Sequence, residues 1–143
     1  MQISQLLRRK GNTVATVEAT ASVRDALGQL AEHRIGALVV SADGKHIDGI
    51  LSERDIARGL NEHGAGLLAE TVSTVMTAEV HTCSPAASVH ELAQTMTDHR
   101  VRHVPVVEDG TLIGIVSIGD VVKARLDELE AERASLVDYI QTA

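Results

Sequence analysis

Two segments of this 143-residue chain place a serine and an aspartate three residues apart behind a glycine: Gly49-Ile-Leu-Ser-Glu-Arg-Asp55 and Gly114-Ile-Val-Ser-Ile-Gly-Asp120. Ahead of an apolar helix, Ser-x-x-Asp is a capping box that satisfies the free N–H groups of the first turn, contributes about 1 kcal/mol and requires no ligand. The same groups can contact a ligand, and their recurrence at one place in each half of the chain favours that role; the two roles are compatible. Other reactive residues point to less. Among seven histidines, His99 and His103 stand four apart, a spacing that pairs metal ligands only on a helix, whereas Val101 to Val107 reads as strand. The single Cys83 has no thiol partner, so no metal site is expected, and Cys83 itself reads as a small core residue at the end of a strand. No Gly-rich phosphate loop, nucleophile elbow or acid/base pair is present, so the chain is not expected to be an enzyme.

The elements around the two motifs repeat. A shift of 66 lays Val14 to Gly44 over Val80 to Gly110 and matches Val14 with Val80, Thr16 with Thr82, Ser22-Val23 with Ser88-Val89 and His33-Arg34 with His99-Arg100. After one dropped residue the shift is 65, and Gly49, Ser52 and Asp55 fall on Gly114, Ser117 and Asp120. In the first copy the pattern predicts a strand at Val14 to Val17, then a helix capped by Ser22-Val-Arg-Asp25 with apolar Val23, Ala26, Leu27, Leu30 and Ala31 at helical spacing. A hairpin of buried strands follows, Ala37 to Ser41 and Ile47 to Leu51, around a turn at Asp43-Gly44, and a second helix starts at Ser52. The second copy repeats this order with Val80 to Cys83, a helix capped by Ser88-Val-His-Glu91, Val104 to Val107, Asp109-Gly110, Leu112 to Val116, and a helix from Ser117.

Each copy is thus a βαββα unit. A unit of roughly 50–60 residues is near the lower limit for an independent core, so the two are expected to pack face to face about a pseudo-twofold axis in a mixed α/β (α+β) fold. The expected organisation is a helical lead-in over 1–13, repeat 1 over 14–63, a connector with its own short helix over 64–79, repeat 2 over 80–125 and a C-terminal helix over 126–143. That last helix carries Leu126, Leu129, Leu136 and Ile140 at alternating three- and four-residue spacing, interrupted by Arg133. Such a stripe either forms a dimer seam or folds back on the chain's own elements.

Composition limits the partners. The apolar 44 % is aliphatic, with Tyr139 the one aromatic residue, so a bound base must lie between aliphatic side chains. A net charge of −7 with scattered Lys and Arg, and no aromatic platforms, argues against nucleic acid. A lone cysteine fits a reducing compartment, and neither a signal-peptide core nor an apolar run near the roughly 20 residues of a membrane span is seen, so the expectation is a cytoplasmic protein.

The two G-h-h-S-x-x-D segments behind apolar hairpins, together with Val-Arg-His-Val-Pro-Val-Val from Val101 to Val107, resemble the cystathionine-β-synthase (CBS) domain family. The resemblance covers about Val14 to Arg125, and in its tail the chain is similar to small stand-alone bacterial members. It implies a tandem pair, or Bateman module, that binds adenosyl ligands (AMP foremost; ADP, ATP, NAD or S-adenosylmethionine otherwise) between the repeats and dimerises. It places Ser52, Asp55, Ser117 and Asp120 on ligand phosphate and ribose, since a carboxylate accepts two hydrogen bonds from a vicinal diol and a hydroxyl at a helix N-terminus can hold a phosphate. It puts the backbone near Thr16-Val17 and Thr82-Cys83 on the adenine edge, with Ile50, Leu51, Ile115 and Val116 as apolar walls. Arg102 and His103 match a phosphate-binding basic pair, which copy one replaces with Gly36 and Ala37 while offering Arg54 where copy two has Gly119. The two clefts are therefore expected to differ. The resulting expectation is a ligand sensor that dimerises and acts on an unidentified regulated protein; the alternative is a ligand-free association module that works through the C-terminal stripe.

Overall fold

The computed structural model describes residues 1–142. In the first half, β1 (Thr16–Val17) runs parallel to β2 (Ala37–Val40), which pairs antiparallel with β3 (Gly49–Ser52). Helix α1 (Ile3–Lys10) precedes this sheet, α2 (Val23–His33) links β1 to β2, and α3 (Glu53–His63) follows β3. Two short 3₁₀ helices, Gly64–Ala69 and Val72–Thr74, make the connector. In the second half α4 (Val89–His99) leads to the antiparallel pair β4 (His103–Glu108) and β5 (Thr111–Ser117), and α5 (Ile118–Thr142) ends the chain.

The caps form as their sequences require. The Ser22 and Ser88 hydroxyls each accept the backbone N–H three residues on, from Asp25 and Glu91, at 3.0 Å. Strand β2 is apolar throughout because it lies in the middle of its sheet, and all four of its residues are buried. The β4–β5 hairpin closes on Asp109-Gly110 with φ of 52° and 77°, the double left-handed conformation of a tight hairpin turn that glycine tolerates without steric cost.

Four expected strands are shorter than their apolar runs: β1 lacks Val14 and Ala15, β2 lacks Ser41, and two more contract for reasons visible in the structure. β3 begins at Gly49, not Ile47, because the β2–β3 connection is an open loop in which Asp43 Oδ1 accepts the N–H groups of Lys45 and His46, both at 2.8 Å. The expected strand Val80 to Cys83 contracts to a single parallel bridge between Cys83 and Val106. The reason is one proline. In copy one the Val39 N–H donates to Ala15 O at 3.2 Å, whereas the matching residue in copy two is Pro105, which has no N–H to give, so the residues before Cys83 leave the sheet.

The halves exchange their leading segments. Helix α1 precedes repeat 1 but docks on repeat 2, where Ile3 N–H donates to Ala87 O, Ser4 N–H to Pro85 O and Val89 N–H to Met1 O, each at 2.9 Å. Ile3, Leu6 and Leu7 complete a core with Val89, Leu92, Met96, Val104, Val106, Val116 and Val121. The connector does the same for repeat 1: Val23 N–H donates to Glu70 O at 2.9 Å and Val72 N–H to Ala21 O at 2.8 Å, and Leu67 and Val72 join Val17, Val23, Leu30, Leu38, Val40, Leu51 and Ile56 in a second core. Each crossing brings backbone or side chain hard against a glycine. A Cβ on Gly49 would lie 2.8 Å from Thr77 O, and one on Gly114 would lie 2.7 Å from Leu7 Cδ2.

Helix α5 buries only Val121 and Ala124. Its 25 residues extend about 37 Å, and Val122, Leu126, Leu129, Leu136, Val137, Tyr139 and Ile140 are exposed. Of the two readings of the stripe, folding back on the chain's own elements is not what the structure shows. Among the described residues no helix is long and apolar enough to cross a membrane.

Candidate functional site

The exchange of leading segments creates two cavities between the repeats. In the first, of about 840 Å³, the Ser52–Asp55 turn of repeat 1 meets Thr77, Glu79, Val80 and His81, the stretch crossing toward repeat 2. In the second, of about 710 Å³, the Ser117–Asp120 turn of repeat 2 meets Lys10, Thr13, Val14, Ala15 and Thr16, the stretch crossing toward repeat 1. The pseudo-twofold axis relates the two, and both volumes lie within the range of small-molecule sites, roughly 300–1,000 Å³.

Each motif aspartate closes its capping box, but with a different third partner. Asp55 Oδ2 accepts the Ser52 N–H at 2.9 Å and the Ser52 hydroxyl at 3.0 Å, while its Oδ1 accepts the Thr77 hydroxyl at 3.1 Å; the residue is only 9% exposed. Asp120 Oδ2 accepts the Ser117 N–H at 2.8 Å and the Lys10 ammonium at 2.6 Å, and the same ammonium donates to Ile115 O at 2.6 Å. Burial raises the Asp120 carboxyl, but the Lys10 and Ser117 hydrogen bonds outweigh it and hold the group below its ordinary 3.8. It is therefore a carboxylate at neutral pH.

His103 stands between the cavities and lines both. Its ring lies over Gly36, where a Cβ would come within 3.1 Å of His103 Cε1. This accounts for the departure of copy one from the basic pair: the imidazole of copy two fills the space a side chain at position 36 would need. Burial, then the charge of Arg102, lowers the His103 pKa from 6.5 against the opposing pull of Glu53 and Asp120, so the ring is neutral at pH 7 and able to accept or donate one hydrogen bond.

Across the first cavity the Arg54 guanidinium donates to Arg100 O at 3.1 Å, tying α3 of repeat 1 to the end of α4 of repeat 2. His99 does not pair with His103. It stacks on His81 with ring centroids 4.0 Å apart, and no group of three or more metal-ligating side chains occurs among the described residues.

Ile50, Ser52, Arg54, Asp55, Arg102 and His103 come together in the first cavity, and Thr16, His103, Ile115, Ser117 and Asp120 in the second. Other expected positions line neither. Leu51 and Val116 are fully buried, and Val17 is 4% exposed, each within a hydrophobic core. Thr82 is exposed to solvent, and Cys83 packs against the repeat 2 core, where burial pushes its thiol up to about 11 and keeps it protonated. The crossing segment meets the first cavity at Val80 and His81 instead, the positions that match Val14 and Ala15 in the second. Sequence reasoning also missed Lys10, Thr77, Arg34, Arg58 and Arg100. Of these, Arg34 and Arg100 carried a signal, since His-Arg recurs in both copies.

A family model described as the CBS domain matches residues 4–62 and again 72–127. The mitochondrial CBS domain-containing protein CBSX3 of Arabidopsis thaliana is 38% identical over 149 residues, covering 97% of this chain and 71% of the relative. Among solved structures, the CBS-domain-containing protein ATU1752 of Agrobacterium tumefaciens is 46% identical with a TM-score of 0.84, covering 87% of this chain and 99% of that one. The CBS domain protein PAE2072 of Pyrobaculum aerophilum, solved in complex with AMP, is 31% identical with a TM-score of 0.74, covering 84% of this chain and 89% of that one. With two matches that together span most of its length, and with the same fold as these structures, this chain belongs to the CBS domain family and carries two such domains in tandem.

Proposed function

We propose that the chain is a regulatory module that binds an adenine nucleotide, AMP in the first place, in the clefts between its repeats and passes the ligand state to a partner protein without catalysing a reaction. The observation that carries this reading is the meeting, twice, of a Ser-x-x-Asp turn from one repeat with the crossing segment of the other in a cavity of nucleotide size. The AMP complex of a relative with the same fold supports it. In each cleft the aspartate would accept the ribose diol, the serine and the helix N-terminus would face a phosphate, and Ile50 or Ile115 would lie against the base. Because each cleft is built from both repeats, a ligand that draws its two walls together changes the angle between them, which is the signal a partner can read.

The test is isothermal titration of ligand-stripped protein with AMP, ATP, NAD and S-adenosylmethionine, repeated with Asp55→Asn and Asp120→Asn, which keep side-chain volume and remove a charge. Micromolar or tighter binding of one adenine nucleotide, weakened about tenfold or more in at least one variant, is the expected result. No heat from a folded protein with any of the four would overturn the reading.

The exposed stripe on α5 favours an association role alongside the first. Val122, Leu126, Leu129, Leu136 and Ile140 follow the heptad spacing of a helix–helix seam, which a second copy of this helix would cover. Sedimentation should show a dimer for the full chain and a monomer for a chain ending after Arg125; a truncated chain that still sediments as a dimer would reject the seam.

A further inference from the structure

Arg34, Ile35, Gly36 and His103 line both cavities, and no other described residue does. What the clefts share is thus the short link between α2 and β2 of repeat 1 and one side chain of repeat 2. Each part of this partition is anchored to one of the two Ser-x-x-Asp turns. The Gly36 carbonyl accepts the N–H of Glu53, next to Ser52, at 3.0 Å. The carbonyl of Arg102, next to His103, accepts the N–H of Ile118, next to Ser117, at 2.8 Å. Between these anchors the imidazole closes on Gly36 so tightly that a Cβ there would meet its Cε1 at 3.1 Å and its Nε2 at 3.3 Å. Two hydrogen bonds and one packed contact therefore join the motif of one cleft to the motif of the other.

The ring at the centre of this path has one donor to give. Burial and the charge of Arg102 favour its neutral form, with Lys10 acting the same way, while Glu53 of the first motif and Asp120 of the second pull against them. A neutral imidazole carries one N–H and one bare nitrogen, and an anionic ligand, which only accepts, can use the N–H alone. Two clefts face one such group.

We propose that the two clefts are antagonistically coupled through His103: a nucleotide bound in one takes the imidazole N–H and lowers the affinity of the other. This rests on the reading of the clefts as nucleotide sites. The two states differ in the cleft that the N–H faces, and staggered side-chain wells keep them discrete. Such coupling is reciprocal, so the loss is the same whichever cleft fills first. It differs from a mere inequality of the clefts, which persists when only one of them can bind.

The experiment isolates each cleft in turn. Ile50→Glu puts a carboxylate into the first cavity and Ile115→Glu into the second, where it opposes the base and phosphate of an entering nucleotide; neither position lines the other cavity. AMP is titrated by calorimetry into the ligand-stripped wild type, the two one-cleft variants and the same three proteins carrying His103→Ala, with the melting temperature of each. Each one-cleft variant is expected to bind one AMP, and the weaker of the two isolated clefts to bind it about fivefold or more tightly than the second event of the wild type. With His103→Ala that ratio should fall to twofold or less. Should an Ile variant fail to fold, Asp55→Ala or Asp120→Ala disables the same cleft, and His103→Leu replaces an unfolded His103→Ala. A ratio of twofold or less with His103 present, an equal ratio with and without it, or binding by only one of the one-cleft variants overturns this proposal alone. No AMP bound by the wild type or by either one-cleft variant overturns the reading of the clefts as well.

Discussion

The two clefts share a motif and differ in what completes it. In both, a serine and an aspartate cap the helix after the hairpin, and in both the aspartate accepts one further hydrogen bond from the segment crossing between repeats. In the first that donor is the Thr77 hydroxyl, in the second the Lys10 ammonium. Neither donor lies within the repeated strands and helices. The cap needs only local sequence, so duplication preserves it, whereas the third partner comes from a segment whose docking is set by the other repeat. Five arginines line the first cleft, and one of them, Arg34, lines the second as well. Two copies of one unit therefore yield two clefts that are not equivalent.

The comparison is sharpest at the glycines that open each motif. Gly49→Ala drives a Cβ to 2.8 Å from Thr77 O, a backbone atom that cannot yield without moving the crossing segment, and to 2.9 Å from Met76 Sδ. Gly114→Ala meets Leu7 Cδ2 at 2.7 Å, the end of a side chain that can turn aside. Denaturant unfolding should show a loss of about 2–3 kcal/mol for the first and about 1 kcal/mol for the second, within the range for overpacking. Equal losses would mean that the two crossings are packed alike.

Gly36→Ala acts on both clefts through one residue. Its Cβ would press on the His103 ring at 3.1 and 3.3 Å and displace it from its place between the cavities. Nucleotide affinity is expected to fall about tenfold with stability changed by less than about 1 kcal/mol, read by titration and thermal melting. An affinity equal to wild type would remove His103 from the account.

The smallest effect separates the clefts by pH. Lys10 and Ser117 hold the Asp120 carboxyl below 3.8 against burial, so Asp120 contributes stability above its ordinary pKa and loses it as pH falls through the lowered folded value. In Lys10→Met burial acts with less opposition, the folded pKa rises, and the acid loss begins at higher pH. At pH 7 the substitution should cost no more than about 1 kcal/mol, as the pair is partly exposed to solvent. Superimposable profiles of melting temperature against pH would show that Lys10 does not hold Asp120 in solution.

Much of this architecture was legible because its signals are local. The caps at Ser22, Ser52, Ser88 and Ser117, the turn at Asp109-Gly110 and the apolar β2 run each announce themselves within a few residues, and the repeat made each visible twice. The exchange of α1 and the connector was not legible. Ile3, Leu6 and Leu7 form an apolar face whose partner lies some 80 or more residues away, and nothing in their spacing names it. That is why Lys10 and Thr77 were missed as partners of the motif aspartates. The lining of the first cleft by Val80 and His81, like that of the second by the matching Val14 and Ala15, follows the path of the crossing segments, which no local spacing names.

The central claim is that one duplicated motif has become two unequal nucleotide sites. Titration of the ligand-stripped wild type with AMP tests it most directly. The account predicts two binding events per chain with distinct affinities, one of them weakened selectively by Asp120→Asn. A single class of two identical sites, weakened equally by Asp55→Asn and Asp120→Asn, would contradict it.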